Sequence, residues 1–419
     1  MEKTYRRRRV VVTGIGAITP IGNTAGEYWN GLVEGRSGAA NITRFDTTNF
    51  DTKFACEVKN FDAVAQLDRR TVNRTDLFTQ FALVAADEAM KDAGLTPENF
   101  DPELSGVVFG SGIGGMWTYH HQQRALFESD NPRHISPFFI PMLIADIAAG
   151  MISMKYNLKG PNYATTSACA TSSHAIADAF MLIQRGDADL MVTGGSEAVV
   201  TPMAIGGFNS MKALSTRNDS PETASCPFDE RRDGFVLGEG SGALVLETLE
   251  RALARGAKIY GEVAGVGMTA DAYHLTAPAP GGEGAVRSMR QAVRDAGLEL
   301  TDVQYINVHG TSTPLGDLAE ATAIKTLFGD HARNLLISAT KSMTGHLLGA
   351  AGAIEAIACL LTMKHGIVHP TINSVTPDPE VGIDFVPNVA RKADINVSVS
   401  NTFGFGGHNA SVCFKRYDE

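Results

Sequence analysis

Three side chains of this 419-residue chain have the types and settings that covalent chemistry requires. Cys169 lies in the string SACATSSHA, His309 in HGTST and His346 in TKSMTGHLLGAAGA, each among small or hydroxyl-bearing residues. A thiol is the strongest nucleophile among neutral side chains, and an imidazole donates a hydrogen bond or moves a proton near neutral pH. One cysteine with two histidines therefore indicates acyl-thioester chemistry.

Cys169 stands where a turn is predicted to enter a helix. After it, Ile176, Phe180 and Ile183 recur at helical spacing and predict the buried face of that helix. A cysteine at a helix start faces the positive end of the helix dipole, so we expect a lowered thiol pKa. The competing interpretation is a small buried hydrophobic residue. We adopt that interpretation for the cysteines that lack such a turn, namely Cys56, Cys226, Cys359 and Cys413.

The two histidines of interest have different settings. His309 follows YINV, a predicted buried strand, and the carboxyl ends of parallel strands commonly carry site residues. His346 precedes a Gly/Ala-rich helix, close to Lys341 and Glu355, two charges in apolar sequence that we expect to pair. A satisfied core histidine is the alternative interpretation of His346. His174 is expected to point away from the cysteine turn. The histidines that we interpret mostly as surface or loop residues are His120, His121, His134, His274, His331, His365 and His369.

A glycine-rich turn near the end of the chain, SNTFGFGGHNA, follows a predicted strand. Glycines there let backbone N–H groups face a ligand, as an oxyanion hole demands. A phosphate-binding loop is the competing idea, but GxxxxGK[ST] is absent and GSGIGG is a poor dinucleotide fingerprint. We therefore set nucleotide binding aside.

Bulk composition narrows the class of protein. The chain is 44% hydrophobic with 43 glycines, which is typical of an α/β protein and too apolar for disorder. A net charge of −10 argues against nucleic-acid binding. Five scattered cysteines without a CxxC pair favour neither disulfides nor structural zinc and indicate a reducing, cytoplasmic compartment. No apolar stretch reaches the ~20 residues of a membrane span, so membrane insertion is not expected.

Two pairs of similar segments, called echoes below, occur in the same order along the chain and predict duplicated halves. EAMKDAGL before SGVVFGSGIGG matches QAVRDAGL before YINVHGTSTPLGD, and DADLMVTGGSEA matches DINVSVSNTFG. Each pairs a helix or strand with a small-residue turn, in the same order. Alternating helices and strands predict parallel sheets covered by helices, with the site at the strand ends. We expect one half over residues 1–256, carrying the nucleophilic cysteine, and another over 257–419, carrying both histidines.

Taken in order, the segments SACATS, HGTSTPLGD, KSMTGHLLGAAGAIEA and NTFGFGGHN resemble the β-ketoacyl-acyl-carrier-protein synthases of the elongating, Cys-His-His type. RDGFVLGEGSGALVLE resembles that family too, and the similarity runs from RRVVVTGIG to the C-terminal strand. The resemblance implies a thiolase-like, five-layered αβαβα fold of two duplicated halves. It also implies a homodimer, an acyl carrier protein as partner, and no metal or organic cofactor.

The resemblance gives the chemical residues separate tasks. Cys169 would take the acyl chain as a thioester, while His309 and His346 would hold the malonyl thioester carbonyl during decarboxylation. The carbanion would then attack the acyl group. The backbone N–H groups of Cys169 and Phe405 would form the oxyanion hole. Lys341 would support catalysis together with Glu355.

Further residues match the family's substrate positions. Thr276, Thr311 and Thr313 would line the channel for the pantetheine arm. Ile113, between glycines, looks like synthase II rather than synthase I, and would partly block the acyl pocket. Phe208 would line that pocket, and Phe403 would belong to a mobile gate loop that also contains Phe405. A synthase I type and a specialised polyketide or polyene ketosynthase remain alternatives.

Three basic residues align with the family's carrier-docking surface: Arg70, Arg74 and Lys212. A basic rim would steer an acidic carrier despite the net charge of −10. Asn73 stands where relatives often have another base. The alternative interpretation of all three is an ordinary solvated charge.

Other functions fit the sequence less well. A degradative thiolase needs a second catalytic cysteine near the C-terminus, and initiating synthases use Cys-His-Asn. A chain-length factor would lack the nucleophile, whereas Cys169 is present. A papain-like protease would show CGSCW-like sequence and disulfides, which are missing. A non-enzymatic scaffold would not need four site-like turns.

Overall fold

Ten strands form one continuous sheet in the computed structural model, which describes residues 7–418. In chain order the strands are β1 (Val10–Ile18), β2 (Ala40–Asn41), β3 (Phe54–Ala55), β4 (Ser105–Gly110), β5 (Asn162–Tyr163), β6 (Leu190–Glu197), β7 (Gly240–Thr248), β8 (Gly261–Ala270), β9 (Tyr305–Asn307), β10 (Leu336–Ser338), β11 (Ile367–Val368), β12 (Arg391–Lys392), β13 (Val397–Gly404) and β14 (His408–Lys415). The pairs β2–β3 and β11–β12 stand apart from the large sheet.

The large sheet consists of two equivalent halves. Strand order is β5-β4-β6-β7-β1 in the first half and β10-β9-β13-β14-β8 in the second. In each half two parallel pairings are followed by two antiparallel ones. The halves meet where the start of β1 pairs with β8. This repeated order is the duplication that the internal echoes predict.

Helices complete the layers on both sides of each half-sheet. They are α1 (Ala25–Glu34), α2 (Ala63–Gln66), α3 (Arg69–Val72), α4 (Leu77–Asp92), α5 (Met116–Ser129), α6 (Phe139–Leu143), α7 (Ile147–Tyr156), α8 (Thr171–Arg185), α9 (Pro202–Ser210), α10 (Leu249–Ala254), α11 (Glu283–Asp295), α12 (Pro314–Phe328), α13 (Lys341–Thr344) and α14 (Ala351–His365).

Five layers result from this packing. Helices α4 and α7 cover the outer face of the first half-sheet, and α11, with α12 beside it, covers the second. Helices α8 and α14 contact strands of both halves and each other, so they form the middle layer. The αβαβα architecture implied by the resemblance is confirmed. The echoes fall on equivalent elements, α4 with α11, β4 with β9 and β6 with β13.

The position of α8 and α14 between the two half-sheets accounts for their apolar sequences. In α8 the predicted apolar face is buried, with Ile176, Phe180 and Ile183 at most 1% exposed. Both middle helices have 15 residues and end at a glycine in the left-handed region. The segment Leu348–His365 is long and apolar enough to span a membrane by length and composition, but 89% of it is buried inside the protein. Burial between two sheets accounts for its apolar character.

The expected boundary between the two halves falls in a connection between elements. Helix α10 ends at Ala254 and β8 begins at Gly261, so the division at 256/257 cuts neither. The division itself stays a prediction.

Candidate active site

The nucleophile turn joins β5 to α8 through a strained backbone. Ala168 has a φ of 50°, in the left-handed region that favours glycine. A single 3-10 turn over Ala168–Ala170 then leads into α8. Cys169 is 6% exposed and lies at the floor of a cavity. The small neighbours of Cys169 allow this sharp turn, as the sequence indicates.

The Cys169 thiol lies against His346, with 2.9 Å between Sγ and Nε2. Burial raises the pKa of the Cys169 thiol to about 11, although the Lys341 ammonium and a hydrogen bond from the Phe405 backbone oppose this rise. The expected lowering of the thiol pKa at the helix start is therefore wrong for the resting site. Desolvation outweighs the favourable charges, and the neutral thiol is the resting form.

His346 is held in a defined tautomer. The backbone N–H of Leu348 donates to Nδ1 over 3.3 Å, which leaves the ring proton on Nε2, the atom that faces Cys169. Burial first, and the Lys341 ammonium second, lower the pKa of His346 well below its usual range. A neutral ring with Nε2–H pointing into the cavity is a hydrogen-bond donor for a substrate oxygen.

His309 lies just beyond the end of β9. Its backbone N–H donates to Oε1 of Glu320 over 2.9 Å, and the N–H of Gly310 donates to Oε2 over the same distance. The His309 ring meets that of His346 edge-on, with centroids 5.3 Å apart. Burial, then the charge of Lys341, lowers the pKa of His309 well below its usual range. Two neutral imidazoles therefore face one thiol.

Lys341 and Glu355 form a buried ion pair behind the histidines. Thr340 Oγ1 donates to the same carboxylate oxygen of Glu355 over 3.1 Å. Burial raises the pKa of Glu355, and Lys341 counteracts that rise. The pairing expected from the sequence is present, and it places a positive charge next to both rings.

The glycine-rich loop over Phe403–Gly407 approaches the nucleophile turn closely. A Cβ at Gly404 would lie 3.0 Å from the Ser167 carbonyl oxygen and 3.1 Å from the Cys169 nitrogen. The backbone of Phe405 is close enough to the Cys169 thiol to lower its pKa. Glycine at position 404 thus lets the two backbone segments of the predicted oxyanion hole come together.

A cavity of 570 Å³ leads to these groups. Cys169, His309 and His346 line its floor. The other predicted site residues that line it are Ile113, Phe208, Lys212, Thr276, Thr311, Thr313, Phe403 and Phe405. Lys341 and Glu355 lie behind its wall. The cavity therefore unites the predicted acyl, channel and gate positions.

The docking residues are divided between two places. Lys212 is exposed and lines the cavity mouth. Arg70 in α3 and Arg74 just after it are exposed but do not line the cavity. The Arg74 guanidinium lies 4.7 Å from the centre of the Phe138 ring.

Two buried carboxylates of the site, those of Glu197 and Glu320, were not predicted from the sequence. Oε2 of Glu197 accepts the N–H groups of Gly112 and Gly349, at 2.9 and 3.0 Å, and so joins the Ile113 loop to the His346 turn. Burial raises the pKa of Glu197 to about 7. Glu320 holds the His309 backbone in a similar way. A glutamate in the apolar string MVTGGSEAVV was the available signal for the first.

Two histidines differ from their expected settings. His174 does not point away from the nucleophile turn, because its Nδ1 lies 2.6 Å from Ser167 Oγ. His369 is not a surface residue. It is fully buried and contacts the hydroxyls of Tyr305 and Ser338 at 3.0 and 3.2 Å. His174 lies in the first turn of α8, and its ring reaches back to Ser167 in the turn before the helix, a contact that was not predicted from the sequence.

One group of metal-ligating side chains occurs in the part of the chain that the structure describes. The donor atoms of Cys169, His309 and His346 lie within 4.8 Å of one another. The tautomer of His346 and the adjacent Lys341 charge make that cluster a poor cation site.

Comparisons with known proteins agree with this geometry. The N-terminal domain of β-ketoacyl synthases matches residues 7–252, and their C-terminal domain matches residues 260–375. A 3-oxoacyl-[acyl-carrier-protein] synthase 2 of Staphylococcus aureus (strain N315) is 54% identical over 413 residues, covering 99% of both chains.

Solved structures extend the similarity to the fold. The ishigamide ketosynthase/chain length factor is 36% identical with a TM-score of 0.93, over 99% of this chain and 100% of the other. A type II polyketide ketosynthase, solved in complex with its acyl-carrier protein, is 34% identical with a TM-score of 0.91 and the same coverage. The chain thus belongs to the β-ketoacyl synthase family and is an acyltransferase of the 3-oxoacyl-acyl-carrier-protein synthase type.

Proposed function

We propose that the chain elongates fatty acids by decarboxylative condensation of acyl-Cys169 with malonyl-acyl carrier protein. The products are 3-oxoacyl carrier protein, carbon dioxide and free carrier. The observation that carries this proposal is the buried cluster of one thiol and two neutral imidazoles at the floor of a single cavity. A hydrolase would need one histidine as base, whereas two neutral donors suit a carbanion reaction.

In the first half-reaction Cys169 attacks the thioester of the acyl carrier. A carbon–sulfur bond forms to Cys169, the carrier sulfur leaves, and the thiol proton passes to the departing carrier thiolate. The backbone N–H groups of Cys169 and Phe405 stabilise the negative oxygen of the tetrahedral intermediate. One such donor contributes about 3 kcal/mol to the transition state.

In the second half-reaction His309 and His346 receive the carbonyl oxygen of the malonyl thioester. Loss of carbon dioxide leaves an enolate whose charge collects on that oxygen. Two N–H donors aimed at it lower the barrier, and their depressed pKa keeps them neutral. The carbanion attacks the acyl carbonyl, and the Cys169 sulfur leaves as thiolate. No metal or organic cofactor takes part, because the thioester itself delocalises the carbanion.

Substrate selection follows from the cavity lining. We assign the acyl pocket to the side of Ile113 and Phe208, and the pantetheine arm to the side of Thr276, Thr311 and Thr313. We assign the gate to Phe403, which lines the same cavity and whose ring centroid lies 5.9 Å from that of His309. Ile113 favours the synthase II type, in which this side chain rotates to admit longer chains.

The partner that we propose is an acyl carrier protein, loaded with acyl or malonyl groups. A relative of this fold was solved with its acyl-carrier protein, and Lys212 stands at the cavity mouth here. Arg70 and Arg74 would extend the docking surface beyond the mouth. Because such contacts are electrostatic, we expect the Michaelis constant for the carrier to rise with salt.

A homodimer is the proposed assembly. Strand β5 lies at the edge of the large sheet and is exposed, so its free backbone groups can pair with a second copy. Helix α7 packs beside it and carries an exposed apolar side chain, Met154, which is 70% exposed. We also propose the division into residues 1–256 and 257–419, and a cytoplasmic location, which suits five buried free cysteines.

The function has a direct test. Wild-type protein mixed with long monounsaturated acyl carrier and malonyl carrier should yield 3-oxoacyl carrier, whereas Cys169→Ala should yield none. Condensation by Cys169→Ala would contradict the mechanism. Comparing long monounsaturated with short saturated acyl carriers distinguishes synthase II from synthase I, and failure with both, but turnover of polyketide intermediates, would favour a specialised pathway.

A further inference from the structure

We propose that His174, with His408 beside the opposite backbone segment, is a positioning residue for the oxyanion hole behind the substrate. The two proposed N–H donors come from separate parts of the chain, Cys169 from the turn before α8 and Phe405 from the loop between β13 and β14. The inference rests on the proposed function, because it concerns that hole. Neither histidine touches the reacting atoms.

The first segment is fixed through Ser167, whose polar groups are all engaged. Its N–H donates to Thr171 Oγ1 over 2.9 Å, and its carbonyl accepts the N–H of Ala170 over 3.1 Å. Its hydroxyl lies 2.6 Å from His174 Nδ1. Ser167 directly precedes Ala168, whose φ of 50° is unfavourable for a residue with a side chain. His174 therefore holds the side chain of the residue before the strained elbow, while Thr171 holds its backbone N–H.

His408 lies against the second segment, at the start of the strand that follows it. Nε2 of His408 would lie 2.9 Å from a Cβ built on Gly406, so the imidazole folds back against the loop that carries Phe405. His408 is also the ionisable group that acts electrostatically on His174. The two rings thus act on each other, one beside each backbone segment.

The state of His174 suits this task. Burial, with a smaller effect of His408, lowers the pKa of His174 to about 4, so the ring is neutral under ordinary conditions. A neutral imidazole hydrogen bonds with a hydroxyl without bringing a charge next to the nucleophile. Asparagine can offer a donor or an acceptor near the same place, whereas phenylalanine fills the space with neither.

The test separates oxyanion-hole geometry from thiol reactivity. Acylation of Cys169 by an acyl carrier is followed by intact-mass spectrometry, and alkylation of Cys169 by iodoacetamide, which needs no oxyanion hole, is followed in parallel. We expect His174→Phe to slow acylation at least about tenfold through the maximal rate. Alkylation should stay unchanged, and His174→Asn should acylate within about threefold of wild type. His365→Phe on α14 is the matched control and should behave as wild type.

Ser167→Ala removes the same hydrogen bond from its other end and covers the case in which His174→Phe does not fold. It should show the same selective loss of acylation, and the double variant should be no slower than either single variant. Normal acylation by both single variants, or a parallel loss of acylation and alkylation, would overturn the inference. If the wild-type protein forms no acyl adduct at all, the proposed function has failed rather than the positioning role.

Discussion

The turns that enter α8 and α14 share one backbone conformation but differ in what they hold, a nucleophile in the first and a backbone anchor in the second. Each contains a residue in the left-handed region, Ala168 at 50° and Leu348 at 45°, followed by a single 3-10 turn and a 15-residue helix. An offset of 180 residues places Cys169 opposite Gly349. In the first copy this position carries the Cys169 thiol. In the second, the Gly349 N–H is taken up by Glu197.

The difference shows how a duplicated turn becomes a site with two roles. In the first copy the thiol faces the cavity, and the backbone around it is left for substrate. In the second copy the turn is anchored, and the residue to which we assign the chemistry is His346, two positions before Leu348. An ion pair, Lys341 with Glu355, supports the second copy. The structure thus joins a nucleophile turn to a rigid histidine turn.

The largest expected effect comes from breaking the support of the histidine turn. Lys341→Ala leaves the buried Glu355 carboxylate without its partner and should lower the free energy of unfolding by about 3–5 kcal/mol. Thermal and urea denaturation measure this. A Lys341→Met/Glu355→Leu double variant should recover much of the stability without recovering condensation. Equal stability of Lys341→Ala and wild type would show that the pair is not needed.

The next largest effect is expected at Gly349, where Glu197 anchors the turn that enters α14. A Cβ at Gly349 would lie 2.3 Å from the Gly112 nitrogen and 2.8 Å from Glu197 Oε2. Gly349→Ala should therefore cost about 3 kcal/mol of unfolding free energy and displace His346. Gly150→Ala in α7, where nothing lies within 4 Å, is the matched control and should leave stability within about 1 kcal/mol of wild type. A harmless Gly349→Ala would refute the tight anchoring.

Acid should weaken the nucleophile turn specifically. The pKa of His174 is about 4 when folded, below the ordinary value of 6.5, so the unfolded chain binds the proton first. Stability contributed by neutral His174 is present above pH 6.5 and is lost as pH falls towards 4, by on the order of 2 kcal/mol. The equivalent position in α14 is Ile354, which cannot titrate. Urea denaturation between pH 7 and 4.5 should show a shallower acid loss in His174→Asn than in wild type, and an identical loss would contradict the assignment.

The smallest effect concerns the junction of the two helices. Ser172 Oγ accepts the N–H of Ala353 over 2.9 Å and so caps the start of α14 from α8. Ser172→Ala should cost about 1 kcal/mol, because a buried N–H loses its acceptor. Ser173 is equally buried, but its hydroxyl has no partner, so Ser173→Ala should change stability by under about 0.5 kcal/mol. Equal losses of unfolding free energy in the two variants would show that Ser172 does not cap α14.

Much of the architecture could be predicted from the sequence, because helices and strands of the two halves keep recognisable apolar patterns. QAVRDAGL and EAMKDAGL mark the ends of α11 and α4, and these echoes gave the duplication. The structure brings Cys169, His309 and His346 together, as their small-residue turns indicated, whereas their separate tasks are what the family resemblance implies.

The other features of the site could not be predicted, because they depend on contacts between segments that are distant in the sequence. Glu197 acts on Gly112 and Gly349, which lie far from it in the chain, and no local pattern announces that bridge. The thiol pKa was predicted with the wrong direction because helix position is visible in a sequence and the depth of burial is not. His174 was misjudged because its contact depends on how the turn before α8 folds back.

The central claim is the division of labour between the two turns, and one measurement tests it most directly. His346→Ala is incubated first with acyl carrier and then with malonyl carrier, and its intact mass is followed at each stage. The account predicts an acyl adduct on Cys169 that persists after malonyl carrier is added, with no 3-oxoacyl product. Failure to form the adduct, or its conversion to product at the wild-type rate, would contradict the account.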